Sequence, residues 1–435
     1  MDLDSLARRN SAEVYERHRR TVRQQTRLRL LQVAGAATRA PDALPGEFGR
    51  LLVIRPDHLG DLLFATPALR VLRRAFPAAR ITALVGPWGT PALEGNPDID
   101  ELVALPFPGF ERDATAGFNP AAYRLLSQRA EVLRGRFDAA LVLRYDHWWG
   151  AWLAQAAGIL ARVGYATPET APFLTATRLH RPGRHEVVQN LELISELIRI
   201  AGGTPPPLPA GSAPDLRLTS PFTPQPPLPS PSGRTSSVDE MASSAGRGER
   251  GLGERGEAPG EGRGSQGVRG EIAIHPGAGA AVKRWRPEAW AEVADTLAAE
   301  FGLTVVLTGS AAERELCEQV AAGISAGATN LAGTTSLPEL AAVYGRCRLV
   351  LGPDSGPLHV AVAAGTPTVH LYGPADPVAF GPWGPPARHR VVTPGIGCAP
   401  CGVLAWDDEL DMHPCVRAIP AAAVVAAARA ALGAT

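Results

Sequence analysis

Apolar and polar positions along this chain fall into two blocks with the same rhythm. In the first, LLVIR (51–55), ITALVG (81–86), ELVAL (101–105) and AALVLR (139–144) are the short apolar runs of buried strands. DLLFATPALRVLRRAF (61–76) and EVVQNLELISELIRIAG (186–202) instead space their apolar residues as helices do. After position 270 the rhythm returns, with EIAIHPG, LTVVLTG, RLVLGPD and TPTVHLYG predicting strands. PEAWAEVADTLAAEF, AAERELCEQVAAGI, LPELAAVYGRC and GPLHVAVAAG predict the helices between and after them. Strands alternating with helices of this length indicate an α/β fold, parallel sheets covered on both faces. A final helix, about AIPAAAVVAAARAAL, is expected to pack back onto the first block.

Residues 203–270 break the rhythm: they are saturated with Pro, Gly, Ser and charge. Such a segment buries too little apolar surface to offset its ordering entropy, and the expectation is a disordered linker. The chain thus divides into a basic arm (1–48), a first domain (49–202), the linker (203–270), a second domain (271–418) and the last helix (419–435).

Composition changes this picture little. The 435 residues carry a formal net charge of 0, with 45% hydrophobic and 20% charged residues, so no global attraction to nucleic acid is expected. Five cysteines are too few and too odd in number for a disulfide framework, which favours a reducing, cytoplasmic setting. No signal-peptide pattern or membrane-length apolar run is visible. The exception is RRNSAEVYERHRRTVRQQTRLR (8–29), strongly basic, which reads either as a helix for an anionic membrane surface or as a solvated arm.

The chemistry concentrates after strands. In the second block HPGAGAAVKRW (275–285), TGSAAERE (308–315), GPDSGPLHVA (352–361) and YGPADP (372–377) each follow a strand, and parallel strands put all four turns on one edge. Ser355 and Gly356 open a helix whose free N–H groups suit a diphosphate, and Lys283 adds a cation. Singly, each has a plain structural reading, as a capped helix start or a solvated lysine. In the first block RPDHLGD (55–61) runs from a strand into a helix without any nucleotide-binding glycine pattern, leaving the purpose of Gly60 and Asp61 open between an N-cap and a cleft-facing base.

Together RPDHLGDLLFATPALRVLRRAFP, NPDIDELV, HPGAGAAVKRWRPEAWAEVA, VVLTGSAAERE and NLAGTTSLPELAAVYGRCRLVLGPDSGPLHVAVAAGTPTVHLYGPADP resemble the heptosyltransferases, glycosyltransferase family 9. The resemblance covers about 50–200 and 271–432, with the motifs in family order. It implies a GT-B architecture, two Rossmann-like domains facing across a cleft. It also implies a nucleotide-diphosphate sugar donor, ADP-heptose by family default, and a cell-envelope glycan or glycolipid acceptor. Transfer would proceed with inversion and without a cofactor or catalytic metal. Carried over by position, Asp61 matches the catalytic base, Lys283 the phosphate-binding lysine and Glu313, with Gly309 and Ser310, the ribose segment. Asp354, Ser355, Gly356, Pro357, Leu358 and His359 match the donor phosphate and sugar segment. The alternatives are a nucleotide-sugar-binding protein without transfer, and a GT-B sugar-nucleotide epimerase.

Around this frame Gly60 is expected on the acceptor side, letting the backbone approach substrate, and Arg55 is expected to meet acceptor anions, to orient Asp61 or to form a sheet-end ion pair. Tyr145, Asp146 and His147 end a first-block strand and are expected on the acceptor side, with Trp148 and Trp149 in helix packing. Cys398, Cys401 and Cys415 with His413 form a weak candidate for a structural metal, because their spacing matches no standard zinc finger.

Overall fold

A computed structural model of the chain describes residues 2–18, 22–36, 47–110, 120–209, 236–237, 270–406 and 410–433. Two parallel sheets form the framework. The first comprises β1 (Arg50–Arg55), β2 (Arg80–Val85), β3 (Glu101–Ala104), β4 (Ala139–Val142), β5 (Ala161–Tyr165), β6 (Ala176–Arg178) and a two-residue β7 (Ser236–Ser237), in the order β6-β5-β4-β1-β2-β3-β7. The second comprises β8 (Glu271–Ile274), β9 (Thr304–Leu307), β10 (Ala328–Asn330), β11 (Cys347–Pro353), β12 (Thr368–Leu371) and β13 (His389–Val392), in the order β10-β9-β8-β11-β12-β13. With the helices on both faces this is the two-lobed GT-B architecture.

Strand period and lobe structure agree residue by residue. Along β1, Leu51 and Val53 join the core under the helices Leu59–Ala75 and Glu186–Ile200. Leu52 and Ile54 join the opposite core with Trp149, Ala151 and Leu153 of the helix Trp148–Ala156. Each such side chain taken from water contributes about 1.5–3 kcal/mol, and β1 is buried on both faces, as a central parallel strand is. In the second lobe Ile272 and Ile274 of β8 face the helix Pro287–Phe301, whereas Ala273 faces the helices Leu337–Arg346 and Gly356–Ala363. Pro287 opens its helix at the position where a missing N–H is harmless, and Gly302 closes it at φ 64°.

Two expectations are corrected. The last helix, Ala421–Leu432, covers the second lobe and not the first: Val424, Val425, Ala428 and Leu432 share a core with Trp290 and Leu297, and Arg429 pairs with Glu300 at 2.7 Å. Its alanine-rich face fits closely against a neighbouring helix, which fixes it there. The basic arm is not simply solvated. Helix Leu3–His18 buries Leu6, Ala7 and Asn10, and Asn10 Nδ2 donates to Met412 O at 2.9 Å, reaching the second lobe. Helix Val22–Ala36 buries Leu28 and Leu31, with Leu31 in the first-lobe core and Gly35 tight against Pro172. Most of the expected linker (210–235 and 238–269) lies outside the described residues, but Ser236–Ser237 pairs in parallel with β3 and so belongs to the first sheet.

The lobes touch where the helices Leu59–Ala75 and Gly356–Ala363 begin. Leu63 of the first lobe enters a second-lobe cluster with Leu358 and Val360, while Phe380 and Trp383 pack on the first-lobe core. His185 Nε2 lies 3.0 Å from Gly381 O across the same boundary.

Candidate active site

The helix Leu59–Ala75 starts immediately after β1, so its first turn stands at the strand's carboxyl end. Its N-cap is His58, whose side chain makes no capping bond; Asp61 sits within the first turn and is not the cap. The Asp61 carboxyl is about one-third exposed, open to the cleft. Opposite it the helix Gly356–Ala363 starts after β11 with Ser355 as N-cap. The two starts are close. A Cβ on Gly60 would lie 3.3 Å from His359 Cδ2, and one on Gly356 would lie 3.0 Å from Leu59 Cβ. Gly60 thus serves close approach of the two walls, where the sequence suggested close approach to substrate.

Beneath Asp61 lies a charge cluster. Arg55 is 3% exposed and forms a sheet-end ion-pair hub. Its Nε is 2.6 Å from Asp57 Oδ2, and its Nη1 donates to Leu143 O (2.7 Å) and Asn190 Oδ1 (3.1 Å). Its Nη2 donates to Glu186 Oε2 at 3.3 Å and lies 3.6 Å from Asp61 Oδ1. Arg144 clamps Asp57 Oδ1 from the other side and meets Asp146 Oδ1 at 2.6 Å. Against the cost of burial, Arg55 and Arg144 hold the Asp57 carboxyl below its ordinary range; His180 and Arg55 do the same for Glu186. Asp61 goes the other way. Burial in the wall and the neighbouring Asp57 carboxylate push it up to about 7, with Arg55 opposing.

The second-lobe wall assembles the expected segments. Lys283 Nζ donates to Asp354 Oδ2 at 2.5 Å, and His359 Nε2 is 3.9 Å from Asp354 Oδ1. Despite burial, His359 and Lys283 keep the Asp354 carboxyl well below the usual carboxylate range. The Ser355 hydroxyl is buried with no hydrogen-bond partner among the described residues, at the mouth of a helix with free N–H groups. Pro357 occupies the first turn, where its missing N–H costs nothing, and Leu358 is fully buried. Gly309 follows β9 and Glu313 caps its own turn, its Oε2 accepting from Ser310 N and Oγ at 2.8 Å each. A Cβ on Gly277 would fall 2.1 Å from Glu313 Oε1, so a side chain at 277 would have to displace the Glu313 carboxyl.

The acceptor-side trio divides. Tyr145 is 38% exposed and stacks on His180 with centroids 4.2 Å apart; Asp146 is also on the surface. His147 is a correction. It is 3% exposed, lies edge-on between Phe107 and Phe110, and burial pushes its imidazole down to about 3, so no sugar in the cleft reaches it. Trp149 is core, its Nε1 donating to Ala122 O at 3.0 Å, as expected of helix packing. Cys398, Cys401, Cys415 and His413 do line one small cavity, together with Asn10 and Trp406, but His413 stacks flat on Trp406. Among the described residues no group of three or more His, Cys, Asp or Glu has a metal-holding arrangement.

Sequence reasoning missed Asp57, Arg144, Glu186 and Asn190. The pair Arg55–Asp57 was visible as RPD, but Glu186 is 131 positions away and only the fold brings it to Arg55.

Comparison with known proteins gives one consistent result. The model of "Glycosyltransferase family 9 (heptosyltransferase)" matches residues 126–404. Lipopolysaccharide heptosyltransferase 2 of Escherichia coli is 26% identical over 356 residues, 78% of this chain and 86% of that protein. Lipopolysaccharide core heptosyltransferase OpsX of Haemophilus influenzae is 38% identical over 117 residues, but the match spans only 26% of this chain and 33% of that protein. The solved structure of the E. coli ADP-heptose lipopolysaccharide heptosyltransferase II superposes with a TM-score of 0.58 at 24% identity, covering 88% of this chain and 98% of that one. This last likeness speaks for the fold.

Proposed function

Because the chain belongs to glycosyltransferase family 9, the heptosyltransferases, we propose that it transfers heptose from ADP-heptose to a lipopolysaccharide core acceptor, with inversion and without a metal. The observation that carries this is the pairing of walls: the Asp61 carboxyl, open to the cleft, stands across from the helix start at Ser355–Gly356, beside which Asp354 holds Lys283. The names of the relatives, which include ADP-heptose and lipopolysaccharide, suggest the substrates.

In this reading Asp61 takes the proton of an acceptor hydroxyl as its oxygen attacks the anomeric carbon. A basicity near neutrality favours that transfer, since it keeps both the ionised form and the driving force. The anomeric carbon–oxygen bond breaks on the opposite face and its electrons leave with ADP. Lys283, the Ser355 hydroxyl and the N–H groups of the Gly356 helix would hold the diphosphate as charge builds on it. Asp354 orients Lys283, and Glu313 Oε1, the oxygen not used by Ser310, would accept from the ribose. Tyr145 and Asp146 would meet the acceptor. The Cys398 cavity takes no part.

No helix among the described residues is long and apolar enough to cross a membrane. The helix Val22–Ala36 nevertheless suits a bilayer surface. Leu28 and Leu31 face the lobe, while Val22 (79% exposed), Leu30 (64%) and Val33 (73%) form a stripe on the far side with Arg27 and Arg29 exposed beside it. We assign this stripe to an anionic membrane carrying the acceptor, at the cytoplasmic face.

The test incubates the full-length protein with ADP-heptose, with and without lipopolysaccharide core lacking its outer heptoses. ADP release that needs acceptor, insensitivity to EDTA and an inverted anomeric centre by NMR are expected. ADP-heptose binding without release would favour the transfer-inactive alternative, and conversion of the sugar nucleotide without acceptor the epimerase. Sedimentation with phosphatidylglycerol vesicles, lost in the Leu30→Ser/Val33→Ser variant, checks the surface.

A further inference from the structure

Arg55 has more carboxylates than it can serve. Its Nε faces Asp57, both of its Nη1 partners are oxygens of the first lobe's own frame, and the hydrogen bond from Nη2 goes to Glu186. Asp61, at 3.6 Å, receives no hydrogen bond from it. Two guanidiniums, Arg55 and Arg144, stand among four carboxylates, Asp57, Asp61, Asp146 and Glu186. The one left without a donor is the one that opens to the cleft.

We propose that Glu186 is a positioning residue for the transfer step: by occupying Arg55 Nη2 it denies that donor to Asp61 and keeps the Asp61 carboxylate basic. This rests on the reading of Asp61 as the base. Glu186 is well suited to the task. It is the first residue of the helix Glu186–Ile200, directly after His185, whose Nδ1 accepts from Val187 N (3.2 Å) and whose Nε2 reaches Gly381 O. The N-terminus of its helix favours its ionised form, and Gln189 Nε2 donates to its other oxygen at 3.4 Å. Glu186 is thus fixed and charged, and its second oxygen has a partner of its own.

The groups facing Asp61 are Arg55 from β1, Asp57 from the following loop, Arg144 from the end of β4 and Glu186 from its helix. From the second lobe His359 approaches Gly60, bound up with Asp354. Removing the Glu186 charge therefore acts twice in one direction. A like charge disappears, and a guanidinium N–H becomes free to turn toward Asp61, whose Oδ1 is 3.6 Å away.

The test is a carboxyl 13C titration of full-length protein labelled at aspartate, the Asp61 signal being the one absent from Asp61→Asn. In the wild type its midpoint is expected near 7. In Glu186→Gln, which keeps size and the Gln189 contact, it is expected to fall by about one unit or more, the scale of one close charge. The acid limb of kcat should move with it, and Glu186→Asp should return both toward the wild type. Asp57→Asn removes the other competing charge and is expected to shift the midpoint the same way, which keeps the test if Glu186→Gln does not fold. An unmoved or raised midpoint in these variants would overturn the proposal. Wild-type turnover by Asp61→Asn would instead overturn the reading of the base and leave the charge-sharing result standing.

Discussion

Two aspartates stand near facing helix starts, and the cleft treats them oppositely. Asp354 precedes the Gly356 helix and is held well below its ordinary range, whereas Asp61, in the first turn of the Leu59 helix, is pushed up to about 7. Both lie at the carboxyl end of a parallel strand, and both feel a helix N-terminus that favours negative charge. What separates them is the supply of cations. Asp354 has Lys283 at 2.5 Å to itself, with His359 behind; Asp61 shares a guanidinium already engaged by Asp57 and Glu186. The same local motif therefore yields a carboxyl held ionised on one wall and a carboxyl pushed toward neutrality on the other.

The sharpest way to break this comparison is to remove the carboxylate that can accept a proton. Asp61→Asn keeps shape and, not being the N-cap, leaves the helix start intact. A lost general base costs about 10²–10⁴-fold, so kcat is expected to fall by that factor while the dissociation constant for ADP stays as it was. Donor affinity lost with kcat unchanged would reverse the roles of the walls.

The matching change on the other wall is Lys283→Ala. A charge-assisted hydrogen bond contributes about 1.5–3 kcal/mol, and ADP affinity should drop roughly 10–150-fold. Adenosine should bind nearly as before, because only the diphosphate meets the lysine. Calorimetry with both ligands decides it, and an equal loss for adenosine would mean that Asp354, left without its cation, has distorted the loop.

Next comes pH. Asp61 acts only when ionised, so with a midpoint of about 7 the kcat should fall about tenfold for each unit below pH 7 and level off above it. Asp354 stays ionised throughout that range, and ADP affinity should be flat across it. A rate profile level down to pH 5 would show that Asp61 keeps an ordinary carboxyl and that the crowding around Arg55 has no functional reach.

How far the sequence foretold this comparison depends on the range of the contacts. Both helix starts, the strands leading to them and the four turns on the second-lobe edge are local patterns, and each was legible: the expected helix 287–301 coincides with the observed one. Lys283 and Asp354 could be placed together because both follow neighbouring strands of one parallel sheet. The cluster that sets Asp61 apart was not legible. It is built from residues at 55, 57, 144 and 186, whose proximity depends on how β4 and the Glu186 helix settle beside β1. His147 was misplaced for a related reason. It follows two surface residues, and only the turn into the Trp148 helix sends its ring inward beneath Phe107. The last helix was assigned to the wrong lobe because an apolar alanine face carries no information about its partner.

The smallest expected effect concerns the glycines that let the walls meet. Neither Gly60 nor Gly356 adopts a positive φ, so alanine is acceptable to both backbones and only space is at issue. At Gly356 the new Cβ would lie 3.0 Å from Leu59 Cβ, an atom tied to the backbone that cannot rotate away. At Gly60 it would meet the His359 ring edge at 3.3 Å, which can tilt, and Gly356 Cα at an ordinary 3.6 Å. Gly356→Ala should therefore part the helix starts by a few tenths of an ångström. A misplacement of 1 Å costs about 10²-fold in rate, so several-fold is expected here and less for Gly60→Ala. In both variants the Asp61 titration should stay in place, because the Arg55 cluster lies within the first lobe. Measuring kcat and that midpoint side by side separates distance from basicity. If Gly60→Ala proves the more damaging, the space at residue 60 is used by substrate and not by the opposing wall, and the contact between the helix starts is incidental to transfer.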